Sequence, residues 1–298
     1  MVGAQMCAGK DISTSHSTAP QSVSPPTGFA MLTALPQRIV NNLARWIGVL
    51  VGAPRARLPH WPAGTFVAIV LTVAVIVAAM FLIDVRASDW ARHLPRWLIE
   101  FADEITNFGL SAWFLYPLGF ILLYLAAIKA TSLPRSTQGT LAALAARFGF
   151  LFVAIGLPGL FSTIIKRLIG RARPYIGPHD DPFVYLPFAW RPEYASMPSG
   201  HATTVTAAAI AIGAIWPRSR VVMWLYALII MFTRVAINVH HPSDVIAGAL
   251  VGVVGALLIR RFFAARRLVF CPGDLRPYPW PSFKRLKAAA RDVLIGRS

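Results

Sequence analysis

Acidic residues are scarce in this chain of 298: Asp and Glu number 12 against 29 Lys and Arg, a formal charge of +17 at pH 7. Charged residues of either sign make up only 14%, while 56% are hydrophobic, a balance that excludes an ordinary water-soluble domain. In a soluble chain such a basic excess would point to nucleic acid; here Lys and Arg fall between and after apolar runs, so no nucleic-acid partner is implied. Cysteine is almost absent. Cys7 and Cys271 lie outside the apolar runs without a partner spacing, which excludes a disulfide framework and a cysteine metal site. The opening MVGAQMCAGK has no continuous apolar core and no small-residue cleavage site, so it does not read as a secretory signal. No internal repeat and no second domain are visible.

What remains is a polytopic all-α membrane protein. Residues 1–60 form a Ser/Thr/Pro/Gln-rich segment expected to be disordered, ending in RIVNNLARWIGVLVG, which fits an amphipathic surface helix or an ordinary linker helix. Residues 61–270 hold six apolar runs of roughly spanning length: Thr65 to Ile83, Ile105 to Ile128, Phe148 to Ile165, Ala202 to Trp216, Val221 to Val239 and Val245 to Phe263. Residues 271–298 form a basic tail. With six spans, 20 of the 29 Lys and Arg fall on one side, placing both termini in the cytoplasm, although the tails carry most of that bias.

Three stretches on the opposite side hold more chemistry than topology requires. KRLIGRARP places Lys166 and Arg173 seven residues apart, about two helical turns, so a continuing helix presents both on one face; a basic flank snorkelling to head groups is the plain alternative. In SMPSGHATT, Pro198 and Gly200 shape a turn before an apolar run, Ser199 or a neighbour can cap the helix, and His201 stands beside amides able to bind an anion. In TRVAINVHHPSDVIAG, Arg234 sits late in an apolar span, where a charge costs about 2.5–3.5 kcal/mol, and Asp244 follows Pro242 closely enough to hold a preceding histidine. The plain alternative there is a helix-dipole acid with interfacial histidines.

Together these stretches resemble the type 2 phosphatidic acid phosphatase superfamily, whose pattern KxxxxxxRP, PSGH and SRxxxxxHxxxD is met by Lys166 to Pro174, Pro198 to His201 and Thr233 to Asp244. Thr233 stands where the family usually has serine and keeps the hydroxyl. The resemblance implies a bundle of six membrane helices with the active site at the non-cytoplasmic edge, working without metal or other cofactor through a phosphohistidine. It implies His240 as nucleophile, chosen over His241 by its distance from Arg234 and Asp244, with Asp244 fixing the ring and His201 as acid and then base. Lys166, Arg173, Arg234, Ser199 and the Gly200 amide are implied to hold the phosphate. The only other acids close to the motifs in sequence are Asp180, Asp181 and Glu193, which read as loop residues.

The implied substrate is a lipid phosphate or diphosphate: phosphatidic acid, phosphatidylglycerophosphate, undecaprenyl diphosphate or a lipid A phosphate. The implied location is a bacterial inner membrane, with the site facing outward. Phe183, Tyr185, Phe188 and Trp190 suit head-group depth, as a structural belt or a lid. Two rivals have other outcomes: an anion channel, which has no use for a histidine–carboxylate pair, and a phosphoryltransferase built on the same site.

Overall fold

A computed structural model of the protein describes residues 28–176 and 181–295, with the side chains of 28–34 left aside. Among them are ten helices: α1 (Gly28–Val51), α2 (Gly64–Leu82), α3 (Asp84–Arg92), α4 (Arg96–Thr106), α5 (Ala112–Ala127), α6 (Arg135–Ile169), α7 (Gly200–Ile215), α8 (Arg220–Ala236), α9 (Pro242–Ala265) and α10 (Phe283–Ile295). Five helical stretches are long and apolar enough to cross a membrane: Gly64–Leu82, Arg96–Ala127, Arg135–Ile169, Pro217–Ala236 and Pro242–Ala265. The sixth expected span, α7, has 16 residues and is shorter than the others. Of the segment 1–60 expected to be disordered, residues 1–27 lie outside the described residues, and α1 takes up Gly28–Val51, so the helical part is longer than the sequence reading drew it.

The short α7 sits at the centre. Its Ala- and Thr-rich sequence is buried along almost its whole length and packs on α6, α8 and α9. Small residues make this possible, because apolar lipid tails give helices little hydrophobic reason to associate and close backbone approach must supply the attraction. Gly248 and Gly252, one turn apart on α9, lie directly against the α7 backbone at Ser199 and Thr203, leaving no room for a side chain. Thr203 donates to the Gly248 carbonyl at 3.1 Å across the same contact. By contrast α2 and α5 turn large apolar side chains outward, such as Phe66 and Phe120, more than 70% exposed, as lipid-facing helices do.

The ends of the chain brace the far end of the bundle, away from the α7 N-terminus. Asn42 of α1 donates to the Ala126 carbonyl at 2.7 Å and Arg38 to that of Ala127, supplying partners for the last carbonyls of α5. Past α9 the chain folds back: Arg147 of α6 donates to the carbonyls of Tyr278 and Pro279, both at 2.9 Å, and Thr137 donates to Asp292 of α10 at 2.6 Å.

The expected span from Ile105 to Ile128 is broken where the sequence reading drew it continuous. Helix α4 ends at Thr106, a tight turn covers Asn107–Gly109, and α5 starts only at Ala112. The physical reason is visible in the site, which the turn touches.

Candidate active site

The first motif does not form the single helical face expected of it. Gly170 adopts a left-handed conformation (φ 64°) that ends α6 after Lys166, so Arg173 is reached by extended chain instead of by further turns. Only glycine fits there, because a side chain would run into the Leu186 carbonyl. The outer loop then pairs with this stem through main-chain groups: Leu186 N donates to Gly170 O at 2.7 Å and Ala172 N to Val184 O at 2.9 Å. Arg173 is fixed by its own amide to Glu193 O and by its Nε to Pro192 O. In that loop Phe188 and Trp190 project outward, 71% and 82% exposed, and the Arg167 guanidinium lies over the Trp190 ring.

The second motif opens α7. Ser199 is its N-cap residue, yet its Oγ makes no cap bond; it is buried and unpaired among the described residues. The Lys166 ammonium lies against Gly200, 3.0 Å from where a β-carbon would stand, so the glycine admits the cation to the helix N-terminus. His201 follows on the first turn. Gly109, in the break between α4 and α5, packs so closely on the His201 ring that its β-carbon would meet Cδ2 at 2.9 Å. Beside them, between α5 and α6, lies a cavity of about 370 Å³ walled by Gly109, Leu115, Gly156, Gly159 and His201. A larger cavity of about 460 Å³ between α2, α6 and α9 has wholly apolar walls and none of the motif residues.

The third motif is the corner between α8 and α9. Asn238, in left-handed backbone (φ 53°), turns the chain, and the amides of Val239 and His240 return to the Arg234 carbonyl, both at 3.3 Å. Arg234 is buried and held at 2.9 Å by Thr106 Oγ1, at the last residue of α4, beside the turn whose Gly109 packs on His201. His241, the N-cap of α9, accepts from the helix through its side chain, while Asp244 accepts the His241 amide at 2.9 Å, a reciprocal capping box with Pro242 between. His240 Nδ1 is buried without a hydrogen bond, 3.7 Å from Asp244 Oδ2. A shift of about 0.5–1 Å would bring the two within hydrogen-bond distance.

Asp84 and Arg171 form the part that sequence reasoning missed. Neither stands out in the sequence, yet both are fully buried. Arg171 donates to Asp244 Oδ1 at 2.5 Å, Asp84 Oδ2 at 2.8 Å, Ser243 Oγ at 2.7 Å and Pro182 O at 2.9 Å. Asp84 also receives the Ser243 amide at 3.1 Å and the Ser243 hydroxyl at 2.5 Å. Removing one partner from such a buried ion pair costs about 3–5 kcal/mol. The expectation that no acid beyond Asp180, Asp181 and Glu193 lies near the motifs is therefore corrected: Asp84 does, with both oxygens engaged by Arg171 and Ser243. The signal lay in a carboxylate ending an apolar run, which needs a partner if buried.

The charges sort into two groups. Burial lowers the pKa of Arg171, but Asp244 and Asp84 outweigh it and hold the guanidinium above its ordinary value. Burial pushes His240 down from 6.5 to about 4; Asp244 opposes the shift, and Arg234 and Arg173 add to it, leaving a neutral ring at neutral pH. Lys166, Arg173 and Arg234 lie close enough to act electrostatically on one another and on His201. Among the described residues none of the three has a carboxylate at ion-pair distance. Two imidazoles, an unpaired serine hydroxyl and a helix N-terminus share the place with three cations, an arrangement able to hold a tetrahedral oxyanion and attack it.

The chain is similar to several known proteins. Residues 147–268 match the family model described as the PAP2 superfamily. The chain is 35% identical over 251 residues to the lipid A 1-phosphatase of Rhizobium johnstonii, covering 81% of this chain and 94% of that one. It is 32% identical over 151 residues to the decaprenylphosphoryl-5-phosphoribose phosphatase of Mycobacterium tuberculosis, 50% of this chain and 75% of that one. A transmembrane PAP2-type phosphatidylglycerolphosphate phosphatase from Bacillus subtilis aligns in structure with a TM-score of 0.47 and 20% identity, over 67% of this chain and 96% of that one. The family match and the Rhizobium relative establish, with the apolar helices, that this chain belongs to the PAP2 superfamily, as a membrane-embedded lipid phosphatase.

Proposed function

We propose that the protein hydrolyses a phosphate carried on the sugar of a saccharide lipid, of the lipid A 1-phosphate kind, through a phosphohistidine at His240. The observation that carries the reading is the group of Lys166, Arg173 and Arg234 around two histidines, with no carboxylate at ion-pair distance from any of the three among the described residues. The saccharide-lipid assignment draws on the two relatives named for phosphatases of sugar-linked lipids.

In the first step a ring nitrogen of His240 attacks phosphorus and the bond to the lipid oxygen breaks. His201, protonated, gives that oxygen its proton. In the second step the neutral His201 takes a proton from water as the water oxygen attacks the phosphohistidine, and inorganic phosphate leaves with His240 restored. Asp244 steadies the His240 ring as it gains positive charge. Lys166, Arg173, Arg234, the Ser199 hydroxyl and the Gly200 amide oppose the charge that grows on the phosphate oxygens. The protein acts from a bacterial inner membrane, its site facing the periplasm and its termini the cytoplasm, as the Lys and Arg distribution supports.

The test is phosphate release by the purified chain from a panel containing a lipid A-type 1-phosphate, phosphatidic acid and undecaprenyl diphosphate, with His240→Ala as control. Release from the glycosyl 1-phosphate first, with an acid-labile labelled protein absent in His240→Ala, is expected. Full turnover by His240→Ala removes the phosphohistidine, and preference for phosphatidic acid removes the substrate assignment. Transfer of label to an added lipid acceptor instead of water identifies a phosphoryltransferase.

A further inference from the structure

The Asp84–Arg171–Asp244 chain has a geometry that plain scaffolding does not require. A single guanidinium is divided between two carboxylates, both with no exposed surface, that come from helices 160 residues apart in the fold's connectivity. Asp84 stands at the elbow between α2 and α3, helices otherwise peripheral to the bundle, and Asp244 in the first turn of α9. Ser243 closes the circuit, accepting from Arg171 while giving both its amide and its hydroxyl to Asp84. Asp244 Oδ1 accepts from Arg171; Oδ2 accepts from Ser196 and the His241 amide and is also the oxygen 3.7 Å from His240 Nδ1.

The charges explain why two acids share one arginine. Were Arg171 paired with Asp244 alone, the two would cancel, and His240 would face a neutral pair on one side and Arg234 and Arg173 on the other. Asp84 draws off part of the Arg171 charge, so that Asp244 keeps net anionic character toward a ring that becomes cationic when phosphorylated. We infer that Asp84 and Arg171 are positioning residues of the phosphatase: they fix Asp244 and set how much negative charge it presents to His240. The inference rests on the reading of His240 as nucleophile.

The charged and titratable groups around His240 are Asp244, Arg234 and Arg173, with His201 close by; Arg171, Asp84 and His241 stand behind Asp244. Asp84→Asn keeps the shape and removes one anion, so His240 takes up a proton less readily. The full-length protein in detergent, assayed with a short-chain lipid phosphate, should lose about 10–100-fold in kcat with KM within about twofold, as supporting groups behind reactive residues do. The acid limb of its kcat/KM profile should move to lower pH, and Asp84→Glu should restore the limb and part of kcat. Asp89→Asn on the exposed face of α3 should match the unmodified protein.

An Asp84→Asn protein with kcat within twofold of the parent overturns the inference, as does a kcat loss that only follows the folded fraction with the limb unmoved. Should Asp84→Asn yield no folded protein, Arg171→Lys decides. It keeps the charge but not the divided fork, so a limb held in place with kcat down about tenfold or more supports the inference, and kcat within twofold overturns it. Run alongside, an inert His240→Ala with a normal Asp84→Asn defeats only the positioning role, whereas an active His240→Ala defeats the nucleophile and the positioning role with it.

Discussion

Arginine is used in opposite ways at the two ends of the helical bundle. At the end away from the site, Arg147 donates to three backbone carbonyls and lies over the Trp280 ring, and Arg266 donates to Leu50 O at 2.6 Å and stacks on Phe262. Arg220 holds the Gly213 carbonyl at 3.0 Å. These cations are consumed by helix ends and aromatic faces, and so act as structure. At the site end Lys166, Arg173 and Arg234 sit among histidines with far fewer partners, while Arg171 alone is saturated by acids. The same residue type thus becomes glue or ligand according to whether the fold supplies acceptors.

The sharpest way to break this contrast is to truncate one cation at each end. Arg234→Ala should lower kcat/KM by about 10²–10³-fold, the usual cost of losing one donor to a developing oxyanion, while its melting temperature stays close to the parent's. Equal losses of stability and activity would erase the distinction. A second test uses the proposed nucleophile. If His240 attacks as the neutral ring, the burial that pushes it down to about 4 should place the acid limb of kcat/KM, falling about tenfold per unit, near pH 4. An acid limb near the ordinary histidine value of about 6.5 would mean a solvated ring and no cationic surroundings.

Smaller effects are expected elsewhere. Arg147→Met should cost about 1–3 kcal/mol of stability through orphaned carbonyls, read as a lower melting temperature, with kcat/KM of the folded fraction within about twofold of the parent. The least change should come from EDTA. If side-chain cations carry the phosphate, chelation leaves the rate as it was, and loss restored by magnesium would show that a metal shares the task.

How much of this was legible in the sequence depended on distance along the chain. The three stretches from Lys166 to Asp244 stood out locally, because each is short and its offsets describe a turn or a helix start, while the role of each residue came from the resemblance to a family. The all-α membrane fold followed from apolar runs of sufficient length. Partners far apart were not legible. Asp84 and Arg171 are 87 residues from one another, and nothing in either neighbourhood names the other. Thr106 and Gly109 looked like ordinary residues of one span, although the first holds Arg234 and the second admits His201. The shared face drawn for Lys166 and Arg173 failed because periodicity was carried past Gly170, whose left-handed backbone ends the helix.

The outer loop is tied to that stem by main-chain bonds from Gly170 and Ala172 and by Arg171 to the Pro182 carbonyl, none of which uses a loop side chain. These main-chain anchors do not depend on the side chains at Phe188 or Trp190. Substitutions at Phe188, and at Trp190 beyond its contact with Arg167, can therefore change what the outer surface meets while those main-chain ties stay in place, so selection is free to try new head groups over one anchored stem.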